Sequence, residues 1–377
     1  MTTVSSTIEN PLKQLTKLGQ SIWLDYIRRS LMTSGELGRM VEQDGLGGMT
    51  SNPSIFEKAI TGGEEYSDFL AELKAQTTLD SKAVYERLAI RDIQDAADVL
   101  RPVYDGTARR DGYVSLEVAP YLAADTQATI DEGRRLWKTV DRPNVMIKVP
   151  GTAQGLPAIE MLLSEGINVN VTLLFSQEVY EEVAWVFVNA LERRAAEGLE
   201  VSGIASVASF FVSRIDTAID GMIDKKLAGS SDAERARLEG LRSKVAIANA
   251  KLAYERYLRI FSGMRWEPLA AKGAQTQRVL WASTSTKNPH LRDVLYVEEL
   301  IGKDTVNTIP PATYDAFRDH GEPRTSLVEN VDGARQVMLE LAAAGISMQA
   351  VTDDLVAAGV KLFGDAFDKL LAAIESK

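Results

Sequence analysis

Cysteine is absent from the 377 residues, and the only two histidines are His290 and His320. The lack of thiols excludes disulfides, thiolate nucleophiles, zinc–cysteine sites and iron–sulfur clusters. Two histidines are too few for a histidine-rich metal site, and a Ser–His–Asp triad would depend on one of them. Any catalysis therefore has to be carried by Lys, Asp, Glu, Ser, Thr, Tyr or Arg side chains.

Long apolar runs and a basic leader are missing as well. No run of 18 apolar residues occurs, so we expect no membrane span. The N-terminal stretch MTTVSSTIENPLKQL lacks the basic and apolar blocks of a signal peptide. The net charge is −11, with 42 basic against 53 acidic residues. From the missing span and leader we expect a cytoplasmic protein. Because an acidic surface repels nucleic-acid phosphates, we expect no nucleic-acid partner. An anionic substrate would need a local basic pocket.

Short β-branched or aromatic runs alternate with longer amphipathic segments, a pattern that predicts strands alternating with helices. The predicted strands are Ser21–Leu24, Gly47–Thr50, Tyr113–Val118, Val145–Val149, Ile167–Leu174, Ile204–Ser209, Val279–Ser283 and Thr305–Ile309. The predicted helices include Ser81–Leu100 with Asp80 as N-cap, Gln177–Glu197, Glu234–Phe261 and Met348–Ile374. We expect the last helix to be broken or flexed near Gly359 and Gly364.

Eight strands alternating with helices fit either an open doubly wound sheet or a closed barrel. The faces of the strands decide between them. Asn168, Asn170 and Thr172 share one face of their strand, whereas both faces of an open parallel sheet should be apolar. A polar row can point into the mouth of a barrel. We therefore predict an α/β fold, a single parallel (β/α)8 TIM barrel domain over residues 1–377, with extra N-terminal, inserted and C-terminal helices.

Lys148 places an ammonium group inside the apolar strand Val145–Val149. A charge buried there needs a partner or must be neutralised. Lys148 could be a strand-end residue that pairs with a carboxylate and only stabilises the barrel. The alternative is a Schiff-base lysine, a desolvated amine that attacks a ketone and forms an iminium.

Polar residues at the other strand ends bear on this choice, because a barrel would bring them together at one mouth. Taken singly, Asn52 could be a turn residue before Pro53, and Asp25 could cap the helix that follows it. Seven such residues at five strand ends are difficult to explain in this way. Besides Asn52 and Asp25 they are Thr50, Glu117, Asn170, Thr172 and Ser209.

With these residues identified, the sequence resembles the transaldolases, the Schiff-base enzymes of the pentose phosphate pathway. The resemblance runs from about Leu18 nearly to the C-terminus. The matching motifs are Thr-Ser-Asn-Pro-Ser from Thr50, Ser-Leu-Glu-Val from Ser115, Ile-Lys-Val-Pro-Gly-Thr from Ile147, Ile-Asn-Val-Asn-Val-Thr-Leu-Leu-Phe-Ser from Ile167, Ser-Phe-Phe-Val-Ser-Arg from Ser209 and Ala-Val-Thr-Asp-Asp-Leu from Ala350.

The resemblance implies a role for each site residue. Lys148 would form the Schiff base, Glu117 would move protons through a water held by Thr172, and Asp25 would exchange the proton of the hydroxyl beside the breaking bond. Arg214 would bind the substrate phosphate. The three-carbon fragment would be hydrogen-bonded by Asn52, Asn170 and Ser209, with support from Thr50. The resemblance implies no cofactor and no metal.

Two further positions refine this expectation. Transaldolases often carry an arginine in the loop after the seventh strand, but here the nearest cation is Lys287, which could be a second phosphate ligand or a solvated loop residue. Phe211 stands where the shorter aldolases that release the fragment tend to carry tyrosine. With the chain length, Phe211 favours transfer of the fragment over its release.

Two other functions remain open on the residues alone. A glycoside hydrolase would use Asp25 and Glu117 as paired carboxylates but would leave Lys148 without a role. A sugar-phosphate sensor on the same barrel would give no reason for two acids beside a lysine. The expected partners are sugar phosphates, with a monomer or homodimer as the assembly. The length leaves no room for a second fused enzyme.

Overall fold

The computed structural model describes residues 10–62, 64–76 and 79–376. The first nine residues, on which most of the signal-peptide prediction falls, lie outside these ranges. The strands are β1 (Gln20–Asp25), β2 (Leu46–Thr50), β3 (Tyr113–Glu117), β4 (Val145–Pro150), β5 (Val169–Leu174), β6 (Ser206–Phe211), β7 (Arg278–Ala282) and β8 (Thr305–Ile309). In the described chain they pair in parallel and in chain order, and β8 closes the barrel on β1. The predicted (β/α)8 barrel is confirmed.

Helices follow the strands and add further layers around the barrel. They are α1 (Pro11–Lys17), α2 (Arg29–Thr33), α3 (Glu36–Asp44), α4 (Pro53–Thr61), α5 (Ser67–Gln76), α6 (Ser81–Gly106), α7 (Thr126–Val140), α8 (Gly155–Ser164), α9 (Gln177–Ala196), α10 (Ser213–Leu227), α11 (Asp232–Leu241), α12 (Val245–Ile260), α13 (Glu267–Ala270), α14 (Leu295–Glu299), α15 (Pro311–His320), α16 (Val331–Ala343) and α17 (Met348–Ser376). Short 3-10 helices cover Glu64–Tyr66 and Pro120–Ala124. None of the described helices is long and apolar enough to cross a membrane.

The sixth strand is displaced from its predicted position. Strand β6 begins at Ser206, two residues later than predicted, because Ile204 donates its backbone N–H to Val201 in a turn. The strand also runs two residues further, since Phe210 and Phe211 pair with Trp281 and Ala282 of β7. The extension brings Phe211 to the rim of the barrel.

Two helix predictions are wrong. The single helix predicted over Glu234–Phe261 is two helices, α11 and α12, separated at Ser243. Ser243 has a left-handed backbone (φ 54°), and its N–H and hydroxyl donate to the carboxylate of Asp220 at 3.1 and 2.9 Å. The C-terminal helix α17 is continuous from Met348 to Ser376, with no break at Gly359 or Gly364.

Side-chain caps fix where several helices start. The predicted N-cap Asp80 accepts a hydrogen bond from the N–H of Ala83 at 2.7 Å, but α6 continues through Pro102 to Gly106 rather than ending at Leu100. Asn52 caps α4 in the same way, accepting from the N–H of Ile55 at 3.0 Å. Because α4 follows β2 directly, this cap fixes the start of α4 at the carboxyl end of the barrel.

The amino-terminal end of the barrel is filled by buried polar groups. The guanidinium of Arg278 is buried and donates to the Ser21 hydroxyl at 2.6 Å and to the Arg110 carbonyl at 2.7 Å. Trp23 donates its indole N–H to Asp111 at 2.6 Å. These groups are thus hydrogen-bonded to one another, whereas the carboxyl end opens into a cavity.

Candidate active site

A cavity of about 450 Å³ occupies the mouth of the barrel at the carboxyl ends of the strands. In barrels of this type the side chains that bind and react with substrates lie at this end. Nine of the eleven predicted site residues line it, namely Asp25, Thr50, Asn52, Lys148, Thr172, Ser209, Phe211, Arg214 and Lys287. The other two, Glu117 and Asn170, lie directly beside these residues on β3 and β5.

Lys148 is buried on β4 and paired. Its side chain is about 5% exposed, and its Nζ lies 3.3 Å from Oε2 of Glu117. The ammonium group also donates a hydrogen bond to the Ser51 carbonyl at 3.1 Å. The strand register explains the pair, since Glu117 of β3 is the neighbour of Lys148 across the sheet. The site therefore holds an amine that is removed from bulk water and faces a carboxylate.

Glu117 is a weaker acid in the barrel than in water. Burial raises its pKa, the charge of Lys148 opposes that rise, and the charge of Asp25 adds to it. Glu117 also borders a narrow cleft on the other side of the mouth, lined by Tyr85 and Glu132. Glu117 thus borders this cleft while its carboxyl group contacts the amine.

Asp25 at the end of β1 is the second carboxyl group of the mouth. Its Oδ1 accepts a hydrogen bond from the Thr50 hydroxyl at 2.8 Å, and Thr50 also contacts the Thr308 hydroxyl at 2.6 Å. Burial raises the pKa of Asp25, although Lys148 and the Thr50 hydrogen bond lower it. A carboxylate whose pKa is raised in this way is a stronger base than an ordinary aspartate, which suits it to proton transfer.

Hydroxyl and amide groups complete the polar wall. The Oγ1 of Thr172 is buried and has no hydrogen-bond partner among the described residues, although Thr172 lines the cavity. Asn170 is fully buried and committed to its neighbours: its Nδ2 donates to Ser115 at 3.0 Å, and its Oδ1 accepts from Ser209 at 2.6 Å. Thr172 therefore offers a free hydroxyl, whereas Asn170 holds Ser209 in position.

Three cations line the cavity without a carboxylate partner within the described chain. They are Arg214 at the start of α10, Lys287 in the loop after β7 and Lys58 on α4. The guanidinium of Arg214 lies 5.0 Å from the ring centroid of Phe211, and Lys287 donates to the Ser285 hydroxyl at 2.7 Å. In a protein of net charge −11, three cations around one cavity without a carboxylate in direct contact favour an anionic guest.

The loop after β7 brings only some of its hydroxyl groups to the cavity. Ser283 and Ser285 line the cavity with Lys287. Thr284 instead turns away and donates to the Asn307 side chain at 2.9 Å. The hydroxyls that remain available to a guest in this loop are those of the two serines.

The sequence analysis missed other residues that line the mouth. Lys58 and Ser54 lie four residues apart on α4, and this helical spacing after a strand end could have pointed to them. Phe363 of α17 had no such signal, because a helix far from the strand ends supplies it. The ring of Phe363 lies 5.8 Å from Nζ of Lys148.

Comparison with known proteins assigns this arrangement to a family. The profile of the family Transaldolase/Fructose-6-phosphate aldolase matches residues 22–374. The chain belongs to this family. It is 50% identical to Transaldolase 2 of Nostoc sp. (strain PCC 7120) over 372 residues, which are 98% of this chain and 97% of that protein.

Two further relatives agree with this assignment. Transaldolase of Trichodesmium erythraeum is 48% identical over 374 residues, with 98% of each chain covered. Transaldolase 1 of Streptomyces avermitilis is 48% identical over 377 residues, which cover 99% of this chain and 97% of that protein. The resemblance found in the motifs is thus confirmed, and the chain belongs to a family of enzymes. No cluster of His, Asp and Glu suited to a metal ion occurs in the part of the chain that the structure describes.

Proposed function

We propose that this chain is a transaldolase that transfers a dihydroxyacetone unit through a Schiff base on Lys148. The donors are sedoheptulose 7-phosphate and fructose 6-phosphate, and the acceptors are glyceraldehyde 3-phosphate and erythrose 4-phosphate. The observation that carries the proposal is the buried contact between Lys148 and Glu117 in a mouth that also holds Asp25. A structural ion pair alone would not require the second carboxyl group or the free hydroxyl of Thr172.

The first step joins the amine to the ketose. The Lys148 amine adds to the C2 carbonyl, and loss of water leaves an iminium. Glu117 gives and takes the protons of this exchange through a water held by the unpartnered hydroxyl of Thr172. The raised pKa of Glu117 favours this role, because its carboxylate is then a stronger base than an ordinary glutamate.

The second step breaks the bond between C3 and C4. Asp25 removes the proton of the C4 hydroxyl, the aldehyde leaves, and the electron pair of the broken bond moves into the iminium to give an enamine. The hydrogen bond from Thr50 orients the Asp25 carboxylate for this transfer. Ser209, held by Asn170, and Asn52 contact the hydroxyls of the fragment that stays on the lysine.

The third requirement is a site for the phosphate. Arg214 and Lys287 flank the cavity after the sixth and seventh strands and have no carboxylate partner among the described residues. Arg214 is the direct ligand and Lys287 adds charge at the rim. Phe211 packs on Phe175 with ring centroids 5.1 Å apart, so no hydroxyl lies there to protonate the enamine. This arrangement favours transfer to an aldose over release.

Borohydride trapping tests the proposal. The protein is incubated with fructose 6-phosphate, reduced with borohydride, digested and mapped by mass spectrometry. We expect one adduct of the three-carbon fragment, on Lys148, and no adduct in Lys148→Met. Lys58→Met, a lysine of the same cavity, should still be labelled. An adduct on another residue, or none, would refute the assignment.

The assembly and the cellular location stay predictions. A monomer or homodimer is expected, and light scattering coupled to size-exclusion chromatography would measure which form exists in solution. The cytoplasm is the expected compartment, and fractionation of the source cells would test it.

A further inference from the structure

The C-terminal helix α17 places an aromatic ring next to the reactive amine. Phe363 is 3% exposed and lines the cavity, and its ring centroid lies 5.8 Å from Nζ of Lys148. This apolar side chain reaches the mouth from outside the eight strands. A ring at this distance from a cation is weakly attractive and displaces water from that side of the amine.

A glycine lets the helix approach the barrel one turn before this ring. A Cβ built on Gly359 would lie 2.8 Å from Cδ2 of Leu173, which is closer than van der Waals contact allows. Leu173 itself has a left-handed backbone (φ 61°), which a leucine adopts only when its surroundings hold it there. The end of β5 and the helix thus meet at a fixed contact.

A second contact holds the helix one turn after the ring. Phe367 packs edge-on against Tyr85 and Tyr121, with ring centroids 5.3 and 5.6 Å away. Residues four apart lie on the same face of a helix, so Gly359, Phe363 and Phe367 all face the barrel. The position of the Phe363 ring is therefore set by anchors on both sides.

Water competes with the aldose for the covalent fragment. After cleavage the fragment is an enamine on the lysine. Hydrolytic release needs a proton on C3, which restores the iminium, and a water that adds to C2 and loses a proton. The C2–N bond then breaks to give dihydroxyacetone and the free amine, so the net consumption is one water. A water in this position needs polar partners, and the ring of Phe363 provides none.

We propose that Phe363 shields the covalent fragment on Lys148 from water and so sets the ratio of transfer to hydrolytic release. This rests on the proposed function, because it requires the Schiff base. Phe363 is a specificity-determining residue in this proposal, and its role is separate from that of Phe211, which belongs to the barrel wall. An open mouth without the ring would act more like an aldolase.

Two rates from fructose 6-phosphate test the proposal. Release is the formation of glyceraldehyde 3-phosphate without an acceptor, and transfer is the formation of sedoheptulose 7-phosphate with erythrose 4-phosphate. For Phe363→Ala we expect the ratio of release to transfer to rise about tenfold, which corresponds to about 1.4 kcal/mol. Phe363→Tyr keeps the ring and adds a hydroxyl that can hold water, so the ratio should rise there as well.

The controls separate this role from packing. Leu362→Ala changes the exposed neighbour of Phe363 on the same helix and should leave the ratio as in the wild type. The proposal is overturned if Phe363→Ala or a folded Phe363→Tyr loses both rates in parallel, so that the ratio of release to transfer is unchanged. A lower ratio of release to transfer would overturn it as well. If borohydride traps no fragment on the wild-type protein, the proposed function itself fails. If it does and the ratio stays fixed, only this inference fails.

Discussion

Asp216 of α10 is a buried carboxyl group whose ionisation should weaken the fold. It accepts hydrogen bonds from the N–H of Ala246 at 2.8 Å and from the Tyr296 hydroxyl at 2.9 Å. Burial nevertheless raises its pKa from 3.8 to about 6, and the charge of Asp220 adds to the rise. This carboxyl group joins the helix that carries Arg214 to α12 and α14.

The size of the effect follows from linkage. The folded protein binds the proton of Asp216 more tightly than the unfolded chain does, so the stabilisation is complete below about pH 4 and is lost as the pH rises through about 6. The rise from 3.8 to about 6, at about 1.4 kcal/mol per pKa unit, corresponds to about 3 kcal/mol of unfolding free energy. Asparagine can keep both contacts without taking a charge.

Urea unfolding of the wild type and of Asp216→Asn between pH 4 and pH 7 measures this effect. Subtracting the two unfolding free energies cancels the other titrating groups. We expect the variant to gain about 2 kcal/mol relative to the wild type between pH 4 and pH 7, because part of the full effect is already lost at pH 4. Thr217→Ala, at an exposed and non-ionisable position next to Asp216 on the same helix, should give a nearly constant difference. A constant difference for Asp216→Asn would refute the reasoning.

Two further predictions concern the mouth. Lys58→Met should lower kcat/KM for phosphorylated substrates roughly two- to fivefold, by about 1 kcal/mol or less, and reduce its dependence on ionic strength, since one rim cation is lost. Lys138→Met, at the other end of the barrel, should change neither kcat/KM nor its dependence on ionic strength. An equal loss of kcat/KM in Lys138→Met would contradict the reasoning. Asp25→Asn should lower single-turnover cleavage about 10²-fold or more. Because the pKa of Asp25 is raised, its ionisation costs stability as the pH rises, so this variant should melt no lower than the wild type at pH 8. A lower melting temperature of Asp25→Asn than of the wild type at pH 8 would contradict the expected direction of this effect.

The residues at the strand ends could be predicted because strands have a simple periodicity. Side chains alternate between two faces, so a polar row in an apolar strand identifies the mouth of a barrel. The register then sets the neighbours: Glu117 faces Lys148, and Lys148 faces Asn170 across adjacent strands. The fold and the position of the site follow from such local patterns.

Contacts between distant segments could not be predicted in this way. Phe363 lies near Lys148 where Gly359 allows the helix a close approach to Leu173, a fit that no sequence period encodes. The break at Ser243 has a similar origin, since Asp220 on another helix holds the left-handed turn. Helical periodicity alone continues through Ser243 because its neighbours are good helix formers.

The burial of the mouth links the chemistry of the site to its cost in stability. Burial raises the pKa of both Asp25 and Glu117, so each charge that the reaction uses is less stable in the folded protein than in water. Lys148 offsets part of this cost for both groups. A more hydrated mouth would remove the remaining free-energy cost of ionising the two carboxyl groups. It would also admit water to the covalent fragment and return the pKa of both groups toward ordinary values. We therefore expect substitutions that hydrate the mouth to stabilise the charged carboxylates while weakening proton transfer and fragment retention together.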